Sequence, residues 1–566
     1  MALLLSGYHT HCSIRCEQPV LAGSPVIRLA AESPPRFEPV SLKSINSIAI
    51  LAATQIPVQM EFLVATGHGC RHAQCFNPDS LGTRLWTAPL EAAVTWWHCW
   101  LDSPGEGVAA VEKPTVEMLR ERARGQVITA SDAEYEAARK VYNGMIDRRP
   151  SVIVRAVDVG DVMAGIDYAR ENGLDLSVRG GSHSVPGFGT CDVGVVIDLG
   201  RMNSVRVDPR LRTARAEGGC TWGDFNHATY AFGLATTGGI IASTGIAGLT
   251  LGGGIGYLSR GFGLSLDNLL SADVVTADGR FVVASAKENE DLFWALRGGG
   301  GNFGVVTSFE FQLHPVKDVV AGLFFYPIDR ARDVLSFYRD YVATAPEQMG
   351  FFPAFQIAPP LPFIPEKEHG KTFCAIVACW AGAPKDGQNQ MAAFRTPAPT
   401  VAEMVAPMTY YAMNSLFDPL YRPGLQHYWK SSFATELADG AIAAHTKFGP
   451  KVPVVTSTVH IYPINGACNR VPADATAFAY RDAKFATVIA GMWPNPADNQ
   501  KNIKWVKDYY KALEPYSLAG GYVNFMADDD QGRIRDNYKD NYTRLVSIKR
   551  KFDPGNLFHL NQNIKP

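Results

Sequence analysis

The chain has no excess of charge of either sign. Among its 566 residues, 53 Lys and Arg stand against 55 Asp and Glu, a formal net charge of -2. That balance excludes the basic field by which nucleic acids are held, and equally an acidic interaction tail. Long apolar runs are missing too: nothing approaches the roughly 20 residues a membrane-crossing helix needs. The run Ala2–Leu5, with no basic residue before it, is too short for a secretory leader. The expectation is a soluble, cytoplasmic protein with no membrane or nucleic-acid partner. There is no convincing internal repeat. The ten cysteines lack the two paired halves of a zinc site. Cys70 and Cys75 lie beside His68 and His72 but have no second pair, so no metal is expected.

Residues 1–114 are rich in Pro, Ser, Cys and His, show no sustained period, and hold the aromatic cluster Trp96-Trp97-His98-Cys99-Trp100. They predict a poorly ordered or atypical extension. From Thr115 the texture becomes that of a folded α+β enzyme. The pattern predicts helices over Glu117–Arg124 and Ser131–Met145, the second capped by Ser131. A strand follows at Ser151–Arg155, then a helix over Val159–Asn172 stopped by Gly173. Leu176–Val178, Val193–Leu199 and Ser204–Val207 read as strands. Asp273–Thr276 and Arg280–Ala284 form a hairpin about Asp278-Gly279. Asn289–Leu296 is helical, and Val305–Leu313 alternates as a strand.

From Lys317 the composition turns aromatic and proline-rich, predicting a second domain over 317–515 with a strand at Thr372–Cys379 and a helix at Ile328–Ala343. A tail, 516–566, carries a charged helix over Asp536–Lys551.

Two glycine regions carry the chemistry. In Arg179-Gly180-Gly181-Ser182-His183-Ser184, paired glycines after a buried strand let backbone N–H groups approach an anion such as a pyrophosphate. Gly238–Gly256 holds eight glycines in nineteen residues, a poor core but a good wall for a large flat cofactor. A nicotinamide-binding reading fails here. Gly254-x-Gly256 is followed by Ser259 where a third glycine belongs, no clear strand precedes it, and Asp273 begins a strand instead of ending one.

Those two regions resemble the FAD-linked oxidases of the vanillyl-alcohol oxidase superfamily, in the berberine bridge enzyme-like branch. So do Asp267-Asn268, Ala272–Gly279, Asp291–Thr307 and the C-terminal Asn561-Gln562-Asn563-Ile564. The resemblance covers roughly residues 115–566. It implies a two-part FAD-binding (PCMH-type) domain over 115–316 and a substrate domain over 317–515, built as an antiparallel sheet covered by helices. The tail, 516–566, would return to the FAD domain.

The resemblance also implies FAD held by Arg179, Gly180, Gly181, Ser182, His183, Ser184, Gly239, Thr244, Gly245, Gly248, Gly252, Gly253, Val305, Asn561 and Asn563. His183 would be joined to the flavin 8α-methyl. Where some relatives carry a second, cysteinyl link, this chain has Ile241, so the attachment would be mono-covalent. Cys220 falls elsewhere and reads as a buried free thiol. Val185 replaces a tyrosine of plant relatives.

The position that gates oxygen is Thr244, which leaves access open and favours an oxidase over a dehydrogenase. The implied reaction moves a hydride from an alcohol, amine or sugar-like molecule to flavin N5, with O2 then giving H2O2. Tyr522 and Asn524, in the tail motif Gly520–Phe525, would share a strand face and act as base or substrate orienter. Tyr411, Trp429, Lys430, His460 and Arg481 are further pocket candidates. Substrate identity and oligomeric state stay open.

Overall fold

In the computed structural model, which describes residues 113–566, sixteen strands assemble into three sheets. The first contains β1 (Gln126–Ile128), β2 (Val152–Arg155), β3 (Leu176–Arg179) and β4 (Val195–Asp198) in the order β1-β2-β4-β3. β2, β4 and β3 run parallel and β1 is antiparallel at the edge. The helix Val159–Asn172 has the predicted bounds: Asp158 accepts the Asp161 N–H at its start, and Gly173 closes it at φ +69°. Its stripe Val162, Ile166 and Ala169 packs with Val154 and Ile197 of the sheet.

The second sheet is fully antiparallel. It contains β5 (Val205–Asp208), β6 (Thr213–Glu217), β7 (Leu269–Val275), β8 (Phe281–Ser285) and β9 (Val305–Gln312) in the order β5-β6-β9-β7-β8. The β7–β8 hairpin turns through Asp278-Gly279, with Gly279 at φ +82°.

The third sheet has seven antiparallel strands in the order β13-β10-β12-β11-β15-β16-β14. They are β10 (Asp318–Tyr326), β11 (Met349–Ile357), β12 (Thr372–Trp380), β13 (Ala402–Thr409), β14 (Gln426–Ala434), β15 (Thr458–Pro463) and β16 (Phe485–Trp493). Strand alternation splits its side chains between two cores. On β12, Cys374, Ile376 and Ala378 join a core with Leu335 and Tyr338 of helix Ala331–Val342 and Val506 and Tyr509 of helix Asn499–Leu513. Phe373, Ala375 and Val377 point the other way, into a core shared with Ile240, Ile255 and Tyr522. β15 divides likewise: Val459 and Ile461 join the helix side, while Tyr462 joins the opposite side and His460 packs there against Phe352.

Three local expectations are corrected. Ser131–Met145 is helical only at Tyr135–Ala138. Asp132 folds back to accept from the Thr129 N–H and hydroxyl, and beyond Ala138 the backbone leaves helix to carry Tyr142 and Asn143 inward. Asp536–Lys551 is two helices, Ile534–Tyr538 and Tyr542–Phe552, broken where Lys539 takes φ +45°. Tyr522 and Asn524 do not share a strand, because Val523–Phe525 is a 3-10 turn. The turn still brings them together: Asn524 Nδ2 donates to the Tyr522 hydroxyl at 3.0 Å.

Among the described residues no helix is long and apolar enough to cross a membrane, and no group of three or more His, Cys, Asp or Glu is placed to hold a metal. The Cys70/Cys75 cluster and the aromatic cluster at Trp96 lie outside the described residues.

The tail is tied down by buried polar groups. Lys549 and Asp553, both 0% exposed, pair at 2.7 Å. Lys549 Nζ also donates to the carbonyls of Asn302 and Phe558. Asn302 Oδ1 accepts the Ile564 N–H.

Candidate active site

A cavity of about 360 Å³ lies where all these parts converge. One wall is the turn Arg179–Ser184 at the end of β3, and another is formed by Gly239–Ile241, Thr244, Gly245 and Ala247–Leu249. Gly300–Asn302, Gly304–Val306 and the tail residues Phe558 and Leu560–Gln562 close one end. At the other end the floor is the sheet face carrying Trp429 of β14, Thr458, His460 and Tyr462 of β15, and Val488, Ala490 and Met492 of β16.

The two glycine walls touch backbone to backbone. A Cβ on Gly181 would lie 2.2 Å from the Gly245 nitrogen, and one on Gly245 would lie 2.4 Å from the Gly181 nitrogen. The Gly245 side is held in turn by Trp222 N–H donating to the Thr244 carbonyl and Ile246 N–H donating to the Cys220 carbonyl. Cys220 is a buried free thiol, as expected.

His183 sits against this crossing. Its ring stacks on Tyr142 with centroids 3.8 Å apart. Nε2 lies 3.2 Å from the Ser243 hydroxyl and Nδ1 3.4 Å from that of Thr244. Tyr142 is itself fixed, its hydroxyl donating to the Tyr421 carbonyl at 2.6 Å. Burial pushes the His183 pKa down to about 4, so the imidazole is neutral at neutral pH.

Several buried polar atoms around the cavity lack partners among the described residues: Arg179 Nη2, Asn561 Oδ1, Gln562 Nε2 and Asn563 Oδ1. Arg179 otherwise spends its guanidinium on the carbonyls of Ala138, Lys140 and Gly189. Orphaned groups of this kind are rare in a protein interior. Set beside a glycine cradle, they fit a large cofactor rich in donors, acceptors and negative charge, as FAD is.

Of the sequence-predicted residues, Arg179 to Ser184, Gly239, Thr244, Gly245, Gly248, Val305 and Asn561 line the cavity, with Tyr522 and Asn524. Gly252, Gly253 and Asn563 do not line it. The two glycines lie beneath the tail: a Cβ on Gly252 would meet Asn524 Oδ1 at 2.1 Å, and one on Gly253 the Tyr522 hydroxyl at 2.8 Å. The Tyr522 oxygen accepts from the Gly254 N–H as well as from Asn524. Ile241 and Val185 face the cavity.

Of the further candidates, Trp429 and His460 line it. Lys430 points to the other side of the sheet and pairs with Asp529 and Asp530. Arg481 is bound bidentately by Asp267, and Tyr411 is an exposed residue packed on His227.

Sequence reasoning missed Tyr142 and Tyr462, and gave Asn302 and Gln562 within the motifs of resemblance without assigning them to the site. Tyr142 was hidden inside a stretch read as helix. The others come to the site only through long-range pairing.

Comparison with known proteins agrees with this geometry. Residues 150–285 match the FAD binding domain family, and residues 521–565 match the family described as berberine and berberine like. An FAD-linked oxidoreductase of Dictyostelium discoideum is 31% identical over 453 residues, covering 79% of this chain and 96% of that one. The structure of 6-hydroxy-D-nicotine oxidase from Arthrobacter nicotinovorans superposes with a TM-score of 0.69 at 27% identity, covering 78% of this chain and 98% of that one. Glucooligosaccharide oxidase from Acremonium strictum, whose FAD is 6-S-cysteinyl and 8α-N1-histidyl, shares the fold with a TM-score of 0.69 at 22% identity over 78% of this chain and 98% of that one. The chain is an FAD-dependent oxidoreductase and belongs to the vanillyl-alcohol oxidase superfamily, in its berberine bridge enzyme-like branch.

Proposed function

We propose that the chain is an oxidase of a small organic molecule, and that it holds its FAD by one covalent bond, from His183. The observation that carries the covalent bond is the His183 environment: a half-buried, neutral imidazole clamped between Tyr142 and the hydroxyls of Ser243 and Thr244. A neutral ring nitrogen has the lone pair that attack on an electrophilic carbon needs. Ile241 in the facing wall has no nucleophile, so the attachment is single.

When bound, FAD supplies the two-electron acceptor for the substrate's hydride and passes those electrons on to molecular oxygen. The chain's own residues do the rest. Arg179, the glycine walls and Asn561 hold the cofactor. The loop around Asn302, pinned by Lys549 and Ile564, closes the end of the cavity against water. Thr244 leaves the oxygen path open by being small.

Tyr522 orients the substrate. Its oxygen takes two N–H bonds, and burial pushes its pKa up to about 12. It therefore keeps its proton at neutral pH and presents an O–H to the substrate, while Asn524 holds the phenol in place.

The test is a purified protein denatured in acid and passed through a filter. Yellow colour should stay with the wild-type chain and pass through with His183→Ala. Colour lost from the wild type would remove the covalent link. Bleaching under argon without peroxide under air would make the enzyme a dehydrogenase.

A further inference from the structure

His183 stands on a partition between two hollows. Its Nδ1 lies 3.4 Å from the hydroxyl of Thr244, which lines the cofactor cavity. Its Nε2 lies 3.2 Å from the hydroxyl of Ser243, which does not. Ser243 lines instead a cleft of about 680 Å³ behind the glycine wall. That cleft is shared with Asp224 and His227 of helix Trp222–Tyr230, Tyr411 of helix Tyr410–Ser415, and Asp418. Asp224, His227 and Tyr411 are exposed, so the cleft opens to solvent. Two carboxylates line it and no Lys or Arg does. Consecutive residues thus face opposite compartments, and one imidazole touches both.

Asp418 is built into the partition. Its Oδ1 accepts the N–H of Ala242, the neighbour of Ser243, at 2.9 Å. Four residues earlier, Asn414 Nδ2 donates to the Gly239 carbonyl at 2.5 Å. Burial raises the Asp418 pKa above the ordinary carboxylate value, which makes it a readier proton acceptor than an exposed aspartate.

A bond from His183 leaves one proton to account for. A neutral imidazole has a lone pair on one nitrogen and a hydrogen on the other. The attacking lone pair belongs on the cavity side, at Nδ1, so the hydrogen sits on Nε2 and donates to Ser243 Oγ. Once Nδ1 has taken a carbon, the ring is a cation unless Nε2–H departs. Burial already disfavours a cationic ring here, holding the His183 pKa down at about 4, and no Asp or Glu lines the cavity to stabilise one. Tyr142 and His427, packed together beside His183, offer no relief. Burial pushes the tyrosine pKa up and the histidine pKa down to about 3, so both are neutral and neither takes a proton. The carboxylates stand on the Ser243 side.

We propose that Ser243 is the outlet for this proton: as Nδ1 bonds to the flavin 8α carbon, Ser243 Oγ takes the proton from Nε2 and gives its own to the cleft beside Asp418. The proposal rests on the single-bond reading above and deepens it. The step balances. The Nδ1–C bond forms, while Nε2–H and one methyl C–H bond break, both hydrogens leaving as protons. The two electrons released pass through the flavin to molecular oxygen, which takes up two protons and leaves as H2O2. One H2O2 therefore accompanies each bond formed, with no substrate present.

The experiment adds FAD, in air, to full-length protein produced without riboflavin, and follows acid-stable flavin against time. Wild type should gain acid-stable colour with one H2O2 per flavin attached. Ser243→Ala should do so about 10²-fold more slowly, with the Kd for FAD, read from fluorescence quenching before attachment, changed less than about threefold. Ser243→Thr, which returns a hydroxyl, should recover a rate within about threefold of wild type. Asp418→Asn keeps an acceptor for the Ala242 N–H but removes the charge, and should slow attachment about tenfold.

Attachment in Ser243→Ala within about threefold of wild type overturns the proposal. Equal slowing in Ser243→Ala and Ser243→Thr does so too, because the loss is then one of packing. If Ser243→Ala binds no FAD, Asp418→Asn decides: a wild-type rate in it overturns the outlet. A wild type that binds FAD but never gains acid-stable colour fails at a different point, since it removes the bond from His183 and the proposal with it.

Discussion

Gly181→Ala tests whether the two glycine walls are one device. The new Cβ would lie 2.2 Å from the Gly245 nitrogen and 2.5 Å from its Cα. Ordinary contact begins near 3.4 Å, so the walls must part by about 1.2 Å, the difference between 3.4 and 2.2. The obstacle is backbone and has no rotamer to yield. Gly245 cannot drift freely either, since Thr244 and Ile246 on either side are bonded to Trp222 and Cys220. Overpacking of this kind costs about 1–3 kcal/mol, and a misplacement near 1 Å costs on the order of 10²-fold in a positioned reaction.

The expectation is a folded but less stable protein in which most flavin is no longer acid-stable, because His183 moves away from its attachment point. Gly248→Ala is the contrast. In the protein nothing lies within 4 Å of its added Cβ, and that open space is the cavity. In the helix Ile246–Gly252, alanine should stabilise the apoprotein by about 0.5–1 kcal/mol, while flavin content falls because the cofactor's space is taken. The assay pairs thermal melting of apo and loaded protein with colour retained after acid precipitation. A Gly181→Ala protein with full acid-stable colour and an unshifted Tm would refute the reasoning.

Two further perturbations probe the frame around the site. Lys549→Met should cost about 3–5 kcal/mol by urea unfolding, because the Asp553 carboxylate stays buried with only the N–H groups of Leu557 and Phe558. Adding Asp553→Leu should recover part of the loss, and a single-variant cost below about 1 kcal/mol would contradict the pairing. Burial on helix Asp439–Phe448 holds the His445 pKa down at about 3, against 6.5 for a free imidazole. The unfolded chain therefore binds the extra proton, and stability is full above pH 6.5 and lost as pH falls from there towards 3. At pH 5 the loss is about 2 kcal/mol, from 1.36 kcal/mol per pH unit. His445→Gln, which can keep the bond to the Tyr509 hydroxyl, should flatten that slope by this amount, and an unchanged slope would exclude His445 as its source.

The parts legible in the sequence are those fixed by local chemistry. Asp158 and Gly173 mark both ends of one helix because a side-chain cap and a left-handed residue act within a turn. Asp278-Gly279 sets a hairpin for the same reason. The turn at His183 was readable because a strand leading into paired glycines has few other uses. What was not readable depended on distant partners. Tyr142 looks helical until its hydroxyl is seen bonded to the carbonyl of Tyr421, 279 residues away. His460 and Tyr462 look like any strand pair until β16 places Val488, not a carboxylate, beside them. Lys539 breaks a charged helix at a residue with no intrinsic taste for φ +45°, and nothing in its neighbours announces the break.

The alternation along β14, β15 and β16 has a consequence for how such an enzyme changes over generations. Odd and even positions of one strand answer to different judges: Val459 and Ile461 to the helices behind the sheet, His460 and Tyr462 to whatever enters the chamber. A mutation at position 460, 488 or 490 can redraw the chamber while leaving the helix-side packing untouched. Novelty in substrate and persistence of the scaffold are thereby written into adjacent codons, and a lineage can explore the first without gambling the second.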